Sequence, residues 1–336
     1  MNTPTNSSTA DRSPTGDSNA SSSATAAENM PPENMLTEKT HTEPDDAPLQ
    51  HVAPLKEKRR IGLFLAWAWI TLLVFTSITA SWLPIKPYEE SFVTGIQQSP
   101  RFSFTEPLGG DQLGRSILSR IIYGGRVTLA IGVIAVLIGF LLGGVLGLLA
   151  GYSGKWVDYV LTTLTDAMLA FPPIVFLLAL TAVLKGAGEQ LTLQKMVVML
   201  AVLTVPNFFR QTRAQVIAIR DREFVRSAES LGAPRSWILF RELAPNVILP
   251  VMSIMFVVMA GLIIAEGSLS LLGVGIPEPQ PSWGRMIRDG KENLQSSQEH
   301  LHGLIIPMVV LFLSVFSFNV VGEAARTKLD PRASRF

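Results

Sequence analysis

Cysteine is absent from all 336 residues, which excludes disulfides, thiolate metal sites and cysteine nucleophiles. Only four histidines occur, widely scattered, so no metal-binding cluster is expected. Charge is scarce as well. Asp, Glu, Lys and Arg make up 16% of the chain, against about 25% in an ordinary soluble domain. A phosphate loop of the form G-x-x-x-x-G-K-[ST] is also missing; the nearest runs, GYSGKW (151–156) and DGKE (289–292), lack a correctly placed first glycine or the hydroxyl after the lysine. The chain therefore does not cradle ATP phosphates by that mechanism. No catalytic residue, cofactor or nucleic-acid partner is expected.

What the sequence does have is apolar residues, 48% of the total, gathered in runs near the roughly 20 residues needed to cross a bilayer. Six spans are expected, at about 61–83, 127–150, 160–184, 191–209, 247–266 and 301–321. The fourth needs Lys195 to snorkel toward a headgroup. The expected fold is an all-α polytopic membrane protein with a membrane domain over 56–336. Residues 1–55 carry eight acidic residues against Arg12 and Lys39, with no apolar periodicity, and read as a disordered tail. KEKRR (56–60) precedes the first apolar run, which reads as a retained anchor and not a cleaved leader.

Basic residues set the orientation. With a cytoplasmic N-terminus, seventeen Lys and Arg from Lys39 onward fall inside and ten outside. Both termini are then cytoplasmic, in a multi-pass cell-membrane protein. Three of the outside residues sit in DQLGRSILSRIIYGGRV (111–127), where Leu113, Ile117 and Ile121 recur every fourth residue. That spacing predicts an amphipathic helix lying at the outer surface.

Loop 210–246 falls on the cytoplasmic side. From Arg213 the pattern is helical: Ile217, Phe224, Ala228 and Leu231 share one face, and Arg222, Arg226 and Glu229 another. Gly232 stands where a helix end takes positive φ, and Pro234 where a new helix starts. The expectation is a helix, a sharp turn and a second helix: a knob projecting from the membrane.

At these residues the chain resembles a known family. SAESLGAPRSWILFRELAPNVILP (227–250) is similar to the EAA loop of permease subunits in ABC importers. Ala228 and Gly232 match, whereas Arg226 stands where the pattern has Glu and Ser227 where it has Ala. EPLGGDQLGRSILSRIIYGGRVTL (106–129), DAMLAFPPI (166–174), AEGSLSLLGVGIPEPQPSWGRMI (265–287) and FNVVGEAARTKLDPR (318–332) narrow the resemblance to the second permease of dipeptide and oligopeptide importers. It implies a type I ABC importer permease fold. It also implies a homologous permease partner, ATPase subunits that bind the ATP, and an extracytoplasmic peptide-binding protein. Arg226, Ser227, Ala228, Glu229, Leu231, Gly232, Ala233 and Arg235 are then the ATPase-coupling residues.

Other features carry weaker signals. Glycines 139, 143, 147 and 151 repeat every fourth residue, which allows close helix approach. Glu266, at the end of span five, is read as capping the following turn, with a place in the pathway or gate as the alternative. Asp166, ahead of Pro172 and Pro173, marks a kink that either stays fixed or moves in gating. Arg115 and Arg120 are assigned to lipid headgroups or to an acidic group of an external partner, and Trp283 to the outer interface. Two rival functions stay open: a nickel or other small-solute ABC permease, and a proton-coupled secondary transporter using Glu266 or Asp166.

Overall fold

The computed structural model describes residues 56–91, 107–185, 192–296 and 301–329. The expected disordered tail over 1–55, the turn after span three and the last residues of the chain lie outside them. Every regular element among the described residues is helical: α1 (Lys56–Thr79), α2 (Ile117–Tyr152), α3 (Lys155–Leu169), α4 (Pro173–Lys185), α5 (Leu193–Ile219), α6 (Glu223–Ser230), α7 (Arg235–Trp237), a π-helical segment (Ile238–Leu243), α8 (Ala244–Met252), α9 (Met255–Leu271), α10 (Trp283–Ser296) and α11 (His302–Leu329). Four helices are long and apolar enough to cross a membrane alone, and six spans result if each of two bent pairs counts as one.

The bends have local causes. α3 and α4 meet at 97°, because Pro172 and Pro173 cannot donate to the preceding turn and the residue before a proline avoids helical angles. The expected kink is in fact a complete break, with Pro173 restarting the helix at its first position, where proline is favoured. The second bent pair, Arg235–Met252 and Met255–Leu271, turns by 52°; Pro250 sits inside α8 and Ser253 donates its hydroxyl to the Pro250 carbonyl at 2.6 Å.

At 36 residues, α2 is about 54 Å long. It starts at Ile117, well ahead of the expected Val127, with Ser116 as N-cap accepting from the Ser119 amide at 3.3 Å. The separate surface helix expected around 113–121 does not form. Leu113 precedes α2 and is exposed, while Ile117 and Ile121 are buried, so their four-residue spacing reports burial at the top of a spanning helix.

Glycine makes the central contact. At Gly143 an added Cβ would lie 2.5 Å from the Val205 carbonyl oxygen, and at Gly147 2.7 Å from that of Phe209, both on α5. Gly139 abuts Ala201 and Thr204, and Gly151 abuts Val216 and Arg213. The glycine face of α2 is thus the bed of α5 along most of its length. Gly132 meets Met259 of α9 instead. On the other flank, α1 packs against α11, where Trp69 donates to the Ser314 hydroxyl at 3.3 Å.

A contrast of neighbours tests this contact. Gly143→Ala drives a methyl into α5 backbone and should cost about 1–3 kcal/mol, as overpacking does. Gly144→Ala meets nothing closer than 4.0 Å and should leave stability unchanged or slightly raised. Thermal unfolding in detergent should separate the two; equal midpoints would contradict the packing.

Candidate functional site

The loop between α5 and α8 is built on a braced base. At the end of α5, Arg213 makes a bidentate pair with Asp158 of α3, one arm at 2.7 Å. Arg220 donates to the Gly151 carbonyl at the end of α2, at 2.9 Å. Three helices are therefore tied together at the end from which the loop leaves.

The knob itself is α6, a turn and α7. Its end is a Schellman motif: the Ala233 amide donates to the Ala228 carbonyl at 3.1 Å and the Gly232 amide to that of Glu229 at 2.9 Å. Gly232 has φ of +80°, the left-handed angle that its position in the sequence demanded. Helical pattern breaks at 220–222, so the register expected from Arg213 resets. The buried positions are Val225 and Ala228, packed in the same core as Ile238, Leu239 and Leu243 of the π-helical segment. Phe224 and Leu231, expected on one face with Ala228, do not share its burial and point outward, Leu231 at 89% exposure. Arg226, Ser227, Glu229, Gly232 and Arg235 are also exposed, and Ala233 is half-buried. A buried apolar seam thus holds the knob, and its outer surface mixes charged and polar groups with exposed Phe224, Leu231 and Trp237.

Glu266 and Asp166 are not brought together. Glu266 is 1% exposed; its carboxylate accepts from Ser270 at 3.0 Å and from Thr128 of α2 at 3.5 Å. Beside it the Trp283 amide donates to Thr128 at 3.5 Å, and its indole N–H donates to the Ile121 carbonyl at 3.0 Å. Trp283, expected at the interface, is wholly buried because its N–H finds a backbone partner inside. Asp166 lies on α3, 3.8 Å from Arg210 of α5, both side chains more than half exposed.

Arg115 and Arg120 differ from expectation too. Both are buried and held by the chain's own carboxylates, so neither reaches headgroup or partner through a free charge. Arg115 bonds Asp111 at 2.8 Å and pairs with Glu278 at 3.5 Å. Arg120 pairs with Asp111 and, at 3.2 Å, with Asp289 of α10. Arg285 reaches Glu278 at 3.1 Å. These groups line a polar cavity of about 280 Å³. Asp111 is close in sequence, but Glu278 and Asp289 are over 160 positions away, so spacing along the chain gave no sign of the cluster they complete. Among the described residues no group of three His, Asp or Glu is placed to hold a metal ion.

Removing Arg120 leaves Asp111 and Asp289 without a shared cation. Arg120→Ala should therefore destabilise by about 3–5 kcal/mol. Arg288 pairs with Glu292 at 2.7 Å on the exposed side of α10, and Arg288→Ala should cost under about 1 kcal/mol. Unfolding midpoints of the two variants check the difference, and similar losses would contradict the buried hub.

Comparison with known proteins places this geometry. The family model described as "Binding-protein-dependent transport system inner membrane component" matches residues 143–335. The dipeptide transport system permease protein DppC of Alkalihalophilus pseudofirmus is 30% identical over 307 residues, covering 89% of this chain and 96% of that protein. The glutathione transport system permease protein GsiD of Pectobacterium atrosepticum is 34% identical, covering 84% of this chain and 88% of its own. A solved structure titled as inward-facing conformations of the MetNI methionine ABC transporter aligns over 61% of this chain and 96% of its own, at 17% identity and a TM-score of 0.49. On the family match and the full-length relatives, the chain belongs to the inner membrane components of binding-protein-dependent transport systems.

Proposed function

We propose that the chain is one membrane-spanning half of the pore of an ATP-driven importer of di- and oligopeptides, with both termini on the cytoplasmic side. A homologous permease completes the pore, an external binding protein delivers the peptide, and two ATP-binding cassette subunits bind and hydrolyse ATP. The observation that carries this reading is the knob: a Schellman-capped helix with exposed Leu231 on a base braced by Asp158, Arg213 and Arg220. In a chain of this family without a phosphate loop, energy has to enter through contact with another protein. Family membership also decides against a proton-coupled secondary carrier. The cargo follows the two relatives' names, which specify a dipeptide and glutathione.

In this reading ATP binding draws the ATPase subunits together and carries α6 with them. α5 moves with α2, because the glycine contact leaves no room for sliding, and α8–α9 follow through the π-helical segment.

Gly232→Val places a β-branched residue at φ of +80°, a conformation costing an L-residue about 1–2 kcal/mol. In the assembled transporter, ATP hydrolysis should persist while peptide uptake falls by roughly tenfold, the equivalent of about 1.4 kcal/mol. Gly232→Asn, which tolerates left-handed angles, should restore most uptake. Unimpaired uptake by Gly232→Val would overturn the coupling role.

A further inference from the structure

One face of α5 does not suit lipid. Asn207, Arg210 and Gln211 follow at spacings of three and four, so they share a helix face, and all three are exposed. Phe208, Phe209 and Thr212, on the opposite side of α5, are buried against the glycine bed of α2. Across from this face stands Asp166 of α3, 3.8 Å from Arg210, beyond hydrogen-bond length. The two side chains are 51% and 63% exposed, so both keep unspent hydrogen-bonding capacity, Arg210 most of all with its five N–H groups.

The candidate span on α5 runs Leu193–Ile219, past the end expected at 209, and so takes in Arg210, about 25 Å along the helix from Leu193 at 1.5 Å per residue. Gly143 and Gly147 of α2 both touch Phe209, so Arg210 stands level with Leu142 and Val145. Those two are exposed on the other side of α2 at 52% and 45%, as lipid-facing residues are. The same level therefore has an oily side on α2 and a charged side on α5. Charged groups at membrane depth face a bundle interior or a water-filled cavity.

We infer that Asn207, Arg210 and Gln211 of α5, with Asp166 of α3, form a wall of the aqueous passage and there contact a zwitterionic solute, its carboxylate at Arg210 and its ammonium at Asp166. The solute half of this inference rests on the importer reading above; the aqueous wall does not. The loose pair matches a cargo carrying both charges, since a carboxylate binds a guanidinium in bidentate fashion and the released aspartate accepts an ammonium. When no solute is present the two groups partly neutralise each other.

The absence of native cysteine makes the test direct. Single cysteines are placed at Asn207, Gln211 and, as a lipid-facing control, Val145, in the assembled transporter in sealed vesicles. The probe is a membrane-impermeant, positively charged thiol reagent, applied from each side in turn. Positions 207 and 211 should react roughly tenfold or more faster than 145, because thiolate forms in water and not in hydrocarbon. A zwitterionic dipeptide at about ten times its half-saturating concentration should slow labelling at 211 by roughly tenfold, and its N-acetylated methyl ester should not. Arg210→Gln in the same background should abolish that protection. If 207 and 211 are as inert as 145 from both sides, lipid or the second permease covers the face and the inference fails. Labelling that the dipeptide does not slow removes the solute contact. The importer reading fails separately, if vesicles holding the unmodified chain take up no dipeptide with ATP.

Discussion

The close approach of α2 and α5 is the constraint on which the rest depends. Four glycines on one helix face let two long helices lie nearly backbone to backbone, where packing replaces the hydrophobic drive that lipid cannot supply. With α5 fixed on that side, its other face is free to carry Asn207, Arg210 and Gln211. Its end is also fixed, which gives the α6 knob a rigid mount. A single pattern in α2 thus positions both the polar face of α5 and the base of the α6 knob.

Around that contact, three buried polar side chains tie helices to one another. Glu266 joins α9 to α2 through Thr128, with Ser270 on its own helix as the second donor. Arg120 joins α2 to α10 through Asp289. Trp283 seals the start of α10 with its indole N–H on Ile121. Unpaired, any of these would carry a desolvation cost; paired, they fix the angles between helices that apolar contact alone leaves soft. At the other end of the bundle, Asp158 and Arg213 do the same for α3 and α5.

Much of this was legible in the sequence wherever the signal was local. The glycine repeat announced close packing, although not that α5 was the partner. Gly232 and Pro234 announced a turn with positive φ, which the Schellman bonds at Ala228 and Glu229 express. Illegible features depended on residues far apart. Arg115, Arg120 and Trp283 read as surface groups because Glu278, Asp289 and the Ile121 carbonyl, which help to bury them, lie in another part of the chain. The ion pairs at the base of the knob, including Arg213 with Asp158, were missed for the same reason. Two prolines at 172–173 signalled a kink, and the structure shows a complete break of 97° between α3 and α4.

The account's central claim is that this subunit supplies a path and a lever while hydrolysis takes place in a neighbour that grips the lever from the cytoplasm. Photo-cross-linking from position 231, the exposed leucine of the turn, in native membranes tests it most directly. The account predicts a nucleotide-hydrolysing protein captured from the cytoplasmic face, with a yield that changes between nucleotide-free and ATP-trapped states. Capture of no such protein, or reaction of position 231 only from outside the cell, would contradict it.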